Sequence, residues 1–472
     1  SVAILAQAIS ARASFGLLST TPLGHPARPR AMPLRVLLGL SALAACAAGA
    51  PSDLVESLPG YGAPKTKQFS GFSSATPDGK NRLFYWFVEA EIGSGSPDTP
   101  VLIWLNGGPG ASSMVGLLTE NLGPQKITAD SQLVDNPDHI TKHYHLMAVD
   151  NPVGAGYSNT TAGAYVRSEE EMRAQFVHAL RGFYQLHPEY SKNPLWVTGE
   201  SYAGKYVPNI AYELSTNAKE IPFKGIIVGN GLYNELLQYT TIGEMAFGAG
   251  IIDEHLLKKE QDREEQCVAE IQKGSLVAGD FCENITVRWL FTGPKAAAGE
   301  FFYYDFGLTN AKELDSLTDS LSKYLNRPDV KDALHVSRDV AWLCADETGP
   351  VAEALGADFT RPSAPVVASL LELGKEVVLY NGVRDGSVCN HIGNLKALLN
   401  LSWSGSADFE AAESKPWPSA DGVMGHIRAA RNLRFATVLR TGHLVPTVVP
   451  QSFATLLGMI LNPAAEDMPL VV

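Results

Sequence analysis

The clearest chemistry in the chain lies in Thr198-Gly199-Glu200-Ser201-Tyr202-Ala203-Gly204. A serine acts as a nucleophile when its hydroxyl is exposed on a turn so tight that its neighbours must be small. Gly199 stands two before Ser201 and Ala203 two after, with Gly204 next. The apolar run Leu195-Trp-Val-Thr198 leads in and a helix-like stretch, Lys205 to Leu214, leads out. That is the pattern of a nucleophile elbow, with Ala in place of the second Gly. An ordinary Gly-rich strand-to-helix turn would carry the same letters, so the partners decide. A serine hydroxyl needs a base, and the base needs an orienting acid. Downstream, in the order acid then base, stand Asp385 in Tyr380-Asn-Gly-Val-Arg-Asp385 and His443 in Arg440-Thr-Gly-His-Leu-Val-Pro446. His443 is expected to take the Ser201 proton and hand it to the leaving group, and Asp385 to hold the imidazole tautomer. Acyl transfer also needs N–H donors for the oxyanion. The loop Asn106-Gly-Gly-Pro-Gly110 nominates the N–H of Gly108, and the position after the nucleophile nominates that of Tyr202. No Gly-Lys-Ser/Thr follows that loop, so it is not a phosphate cradle.

These groups need a scaffold that ends buried strands at loops. Val101-Leu-Ile-Trp-Leu105, His145-Leu-Met-Ala-Val149, Leu195-Trp-Val-Thr198, Glu376-Val-Val-Leu-Tyr380 and Phe435-Ala-Thr-Val-Leu439 are short apolar runs that read as buried strands. Residues 168–187 between them read as an amphipathic helix. Strand, helix, strand is the grammar of a parallel sheet covered by helices, whose catalytic groups collect at the carboxyl ends of the strands. Residues 230–330 differ in texture: they are helical and charged from Asp253 to Gln272, with few strand signals. The expected organisation is an α/β core over 51–229, a helical insertion or cap over 230–330, and the rest of the core over 331–472.

With the elbow come Asn106-Gly-Gly-Pro-Gly-Ala-Ser-Ser113, Asp150-Asn-Pro-Val-Gly-Ala-Gly-Tyr-Ser158 and Gly442-His-Leu-Val-Pro446. Together these motifs resemble the serine carboxypeptidase family, over residues 60 to 465. Tyr380-Asn-Gly382 and the Ser-Ser-Met114 run are most similar to its vitellogenic-like branch. The resemblance implies an α/β-hydrolase fold: a mostly parallel central sheet flanked by helices, with a helical cap insertion. It implies a serine-type carboxypeptidase that releases C-terminal residues from peptides through a Ser201 acyl-enzyme. By motif match, Asn106 and the Gly107 N–H would bind the substrate's free carboxylate, beside an acidic pair of Glu120 and Glu200. Two adjacent carboxyls cannot both ionise cheaply, so one stays protonated and can donate to the carboxylate. Peptidase activity is therefore expected to favour acidic pH. An acyltransferase or esterase on the same machinery, and a non-catalytic protective or partner protein, are the alternatives. The family usually has a Cys after the Gly-Gly-Pro-Gly loop, where this chain has Ala111. That Cys commonly pairs with one near Cys344, which leaves Cys344 either bonded to Cys389 or a thiol.

Composition narrows the partners. After the first 50 residues, with four Arg and no acid, 33 Lys+Arg face 50 Asp+Glu, a net charge of −17. Such a field repels phosphate backbones and anionic lipid, so neither nucleic acid nor membrane insertion is expected. Peptide or protein C-termini are the expected partners, and a homodimer is left open. Residues 32–50 read as a secretory signal peptide: Met32-Pro-Leu-Arg, an apolar stretch from Val36 to Ala48, then small residues. Cleavage after Ala50 or after Ala47 fits. Residues 1–31 read as an upstream extension before Met32, or as a longer leader. Cys46 would leave with the leader. Cys267, Cys282, Cys344 and Cys389 remain, an even set that suits an oxidising compartment. The Cys267/Cys282 spacing favours a bond. The sequons at Asn159, Asn284 and Asn400 make them glycosylation candidates on the secretory route, to an extracellular or lysosomal/vacuolar destination. His139, His143 and His145 lack a His-Glu-x-x-His pattern or a further ligand, so no metal is expected, and no cofactor. Lys205 reads as a surface residue, the run Lys258 to Glu270 as a solvated helix face, and Trp86 and Trp104 as packing residues.

Overall fold

A computed structural model describes residues 53–161, 163–308, 312–344, 349–419 and 422–462, all within one unit, Asp53–Val472. The leader expected over residues 1–50, with Met32 and Cys46, lies outside the described residues. The strands in chain order are β1 (Gln68–Ser74), β2 (Asn81–Val88), β3 (Val101–Leu105), β4 (Gln125–Ile127), β5 (Leu133–Asp135), β6 (His145–Val149), β7 (Asn159–Thr160), β8 (Leu195–Glu200), β9 (Phe223–Gly229), β10 (Glu376–Gly382), β11 (Lys415–Ser419), β12 (Gly422–Ala430) and β13 (Leu433–Val438). One sheet runs β1-β2-β6-β3-β8-β9-β10-β13-β12-β11, with β7 pairing β2; β4 and β5 form a separate hairpin. From β6 to β13 the pairs are parallel. Both flanks turn antiparallel, at β1/β2/β6 and at β13/β12/β11.

The central strands are apolar along their whole length because both faces are covered. Every residue of β3, β6 and β8 is buried. Alternation divides β3 between two cores. Val101, Ile103 and Leu105 pack with the helices Glu169–Leu186 and Ala203–Asn217. Leu102 and Trp104 pack with Met114–Thr119 and Pro450–Leu461. The helix Glu169–Leu186 starts where Ser168 Oγ accepts from Glu171 N, and three acids occupy its first turn, the favourable end of the helix dipole.

Between β9 and β10 the described residues form helices and no strand. The longest, Glu254–Gln272, is capped by Asp253, which accepts from His255 N and Leu256 N. This helical stretch continues past residue 330 to the helix Ala364–Glu372. The charged run within it is not wholly solvated. Glu260 and Glu264, one turn apart, are buried against the helix Ile242–Gly248, where Glu264 Oε1 accepts from Gly243 N. A disulfide joins Cys267 to Cys282. No disulfide joins Cys344 to Cys389, so that pairing is corrected. Ser112 N donates to Cys344 O, which sets Cys344 beside Ala111. Cys389 is buried four residues past Asp385, in the loop leading to the helix His391–Leu399. Among the described residues, no helix is long and apolar enough to cross a membrane.

Candidate active site

Ser201 sits between the end of β8 and the helix Ala203–Asn217 with φ of 63°, a conformation that few non-glycine residues adopt. The chain holds it there: Ser201 N donates to Gly229 O at 3.1 Å, and Ser201 O accepts from Leu232 N at 2.9 Å. The small neighbours have a steric reason. A Cβ on Gly199 would lie 2.5 Å from Leu105 O and 2.8 Å from Ala203 Cβ; one on Gly204 would lie 2.6 Å from Leu232 N and O.

His443 follows β13 and Asp385 follows β10, two neighbouring parallel strands. His443 Nδ1 lies 2.7 Å from Asp385 Oδ2, and both residues are buried. Asp385 accepts two further hydrogen bonds, from Ser387 N on Oδ1 at 2.8 Å and from Asn230 Nδ2 on Oδ2 at 2.7 Å. Asn230 was not legible as a site residue. It follows β9 with φ of 42°, and its Oδ1 accepts from Gly382 N, so it is fixed at both ends. Among the described residues Ser201 Oγ makes no hydrogen bond, and contacts of this kind commonly close only around substrate.

The loop after β3 faces the elbow closely. A Cβ on Gly107 would lie 2.4 Å from Tyr202 N and 2.8 Å from Ser201 Cβ. Gly108 has φ of 106°. Among the described residues no hydrogen bond takes the N–H of Gly107, Gly108 or Tyr202. All three donors therefore stay available, with Gly107 packed directly against Ser201 and Tyr202.

Asn106 organises the acidic pair. Its Nδ2 donates to Glu120 Oε1 and to Glu200 Oε1, both at 3.1 Å. Its Oδ1 accepts from Trp104 Nε1 at 2.9 Å and Gly116 N at 3.0 Å, which fixes the amide's orientation. Trp104 is thus more than a packing residue. Gly116 also leaves room, since a Cβ there would lie 2.1 Å from Trp104 Nε1. Glu120 and Glu200 are 1% and 3% exposed, and their carboxyls hydrogen-bond to each other. Burial pushes Glu120 up to about 7. Burial and the Glu120 charge push Glu200 well above the usual carboxylate range. At mildly acidic pH the pair holds protons that two solvated glutamates would have lost.

Other expectations resolve by place. Lys205 is fully buried: Nζ meets Glu235 Oε1 at 2.6 Å and donates to the carbonyls of Asp358 and Arg361. Asn284 and Asn400 are exposed, while Asn159 is half-buried and its Nδ2 donates to Tyr157 O. Among the described residues no cluster of His, Cys, Asp or Glu could hold a metal ion, and His139 instead contacts Thr141 and Glu91.

Against known proteins, the family profile described as Serine carboxypeptidase matches residues 59–462. The chain is 31% identical to the pheromone-processing carboxypeptidase KEX1 of Uncinocarpus reesii over 436 residues, 87% of this chain and 67% of that one. It is 30% identical to the pheromone-processing carboxypeptidase kex1 of Aspergillus niger over 451 residues, 91% of this chain and 73% of that one. It superposes on the crystal structure of Kex1(Δ)p, a prohormone-processing carboxypeptidase from Saccharomyces cerevisiae. The TM-score is 0.73 at 26% identity, over 85% of this chain and 92% of that one. The fold is that of the α/β hydrolases, with a mostly parallel sheet. These relatives lend no support to the vitellogenic-like branch.

Proposed function

The chain belongs to the serine carboxypeptidase family, enzymes that act on peptide C-termini, and from that premise we propose that Ser201, His443 and Asp385 are the triad with which it does so, best at acidic pH. Ser201 Oγ attacks the last peptide carbonyl while His443 takes its proton. The oxyanion accepts from the N–H groups of Gly108 and Tyr202. His443 returns the proton to the leaving amine, and the terminal amino acid departs. Water, giving a proton to the same imidazole, then opens the ester and restores Ser201.

The substrate's free carboxylate lies against Asn106, the Gly107 N–H and the Glu120/Glu200 pair. A protonated carboxyl donates to it and an ionised one repels it, so binding weakens as the pair ionises, from pH about 7 upward. What carries this reading is the Asn106 bridge, which sets two buried, mutually hydrogen-bonded carboxyls beside the strand end that carries Ser201. The Cys267–Cys282 disulfide supports a secretory route, with an extracellular or lysosomal/vacuolar destination. Digestion of a peptide library by wild type and Ser201→Ala at pH 5 and pH 7.5 tests the proposal. Single C-terminal residues should be lost from free-acid peptides, faster at pH 5, and not at all with Ser201→Ala. Cleavage of amidated and free-acid peptides at equal rates would overturn it.

A further inference from the structure

The helical stretch between β9 and β10 sends one irregular segment, Phe302 to Leu308, across the two loops that carry Asp385 and His443. Tyr304 O accepts from His443 N at 2.6 Å and Tyr303 O from Gly386 N at 2.7 Å, while Phe306 N donates to Arg384 O at 3.0 Å. The Tyr304 ring lies over the imidazole with centroids 4.6 Å apart. At the centre is Asp305, 2% exposed. Its Oδ2 accepts from Arg384 Nη2 at 2.8 Å and from Gly442 N at 3.1 Å, and its Oδ1 from Gly307 N at 2.9 Å.

Arg384 immediately precedes Asp385, and Gly442 immediately precedes His443. One carboxylate oxygen therefore joins the residue before the acid to the residue before the base. Backbone bonds join the same loops lower down, from Val383 N to Val438 O and from Arg384 N to Thr441 O. Asp305 closes them one step nearer the reacting groups. The approach leaves no slack: a Cβ on Gly442 would lie 2.0 Å from Tyr304 O and 2.7 Å from Asp305 Cβ. A charge-assisted bond in so buried a place is stiff and directional.

We infer that Asp305 is a positioning residue for catalysis: through Arg384 and the Gly442 N–H it locks the acid-bearing and base-bearing loops in register, so that His443 faces Ser201. The inference rests on the triad proposed above. Asp305 touches neither substrate nor reacting atoms; it acts on the alignment of His443 with the nucleophile. Misplacing a reacting group by about 1 Å can cost about 100-fold in rate.

The test compares wild type, Asp305→Asn, Asp305→Ala and Arg384→Gln on a blocked dipeptide, with active sites titrated by a fluorophosphonate. Asp305→Ala should lower kcat per titrated site about 10- to 100-fold, with KM within about twofold, the signature of an interaction felt in the transition state. Asp305→Asn keeps the shape and an acceptor for Gly442 N–H, so it should fall between Ala and wild type. Arg384→Gln should resemble Asp305→Asn. The rate of fluorophosphonate labelling should fall in step with kcat. If Asp305→Ala does not fold, the isosteric Asn variant and Arg384→Gln carry the comparison. Wild-type kcat per titrated site in the folded variants, with only the yield of folded protein reduced, would overturn the inference. Ser201→Ala separates the two proposals. Its retention of activity would sink the triad, whereas an inactive Ser201→Ala beside fully active Asp305 variants would sink only the role of Asp305.

Discussion

Asn106 gives both hydrogens of its amide to carboxyls, and its oxygen is held by Trp104 and Gly116. On the proposed function, an incoming carboxylate competes for those hydrogens and succeeds where the glutamates carry protons. The sign of the pH dependence follows from burial and, at Glu200, repulsion from Glu120, which hold both carboxyls above the usual carboxylate range. Raising the pH until they ionise adds negative charge where a negative group must bind. For a free-acid dipeptide kcat/KM should fall above pH about 7, whereas for the same dipeptide amidated at its C-terminus that fall should vanish. Superimposable alkaline limbs for the two substrates would remove the glutamates from recognition. Asn230 offers a second measurement. Asn230→Asp keeps the size and tolerates the positive φ, but sets a like charge against Asp385 at a contact now 2.7 Å long. We expect kcat at pH 7 to fall by about tenfold or more, with partial recovery on acidification as the new pair takes up a proton. The proposed nucleophile, acid and base could be nominated because each sits in a local pattern of small residues after an apolar run. Asn230 and Gly116 were not, because their roles exist only once β9 and β10, or Trp104 and the helix Met114–Thr119, come together.

At the level of elements, the central strands β3, β6, β8, β10 and β13 were legible, whereas β9, with Lys224 and Gly225 in it, and the flanks were not. Buried strands such as β3 and β6 announce themselves by unbroken apolar runs. β1, Gln-Phe-Ser-Gly-Phe-Ser-Ser, and β12, with two glycines and an arginine, face solvent on part of their length and carry no such signal. Lys205 shows the same limit in reverse. In sequence it is a charge on a helix; in space it ties the helix Ala203–Asn217 to Glu235, 30 residues on, and to the carbonyls of Asp358 and Arg361, 153 and 156 residues on. Lys205→Met keeps the bulk but leaves Glu235, whose side chain is 1% exposed, without its cation. The cost should be about 3–5 kcal/mol, read by urea denaturation. A loss below about 1 kcal/mol would mean that Glu235 simply takes up a proton.

Across the whole molecule, buried acids outnumber what their neighbours can neutralise. Glu169 and Glu260 are both raised to about 8 by burial, Glu120 to about 7 and Asp150 to about 6. A carboxyl raised above its unfolded value binds a proton more readily in the folded state, so its stabilisation is complete below the unfolded value and is lost as pH rises through the folded one. The buried histidines His139 and His145, lowered to about 4, work the other way. They favour folding above their ordinary value of 6.5, and that contribution is lost as pH falls toward 4. Between pH 8.5 and 6.5 the acids act almost unopposed, so stability should rise as pH falls across that window, and below it the histidines offset part of the further gain. Chemical denaturation at pH 8.5, 7.5, 6.5 and 5.5 would show this; a protein weaker at 6.5 than at 8.5 would contradict it. The order of the strands has a further effect on the life of the chain. Ser201 is translated with β8, but Asp385, its proposed acid, waits for β10 and His443, its proposed base, for the turn beyond β13. A growing polypeptide thus carries its proposed nucleophile disarmed until the far side of the sheet has been made.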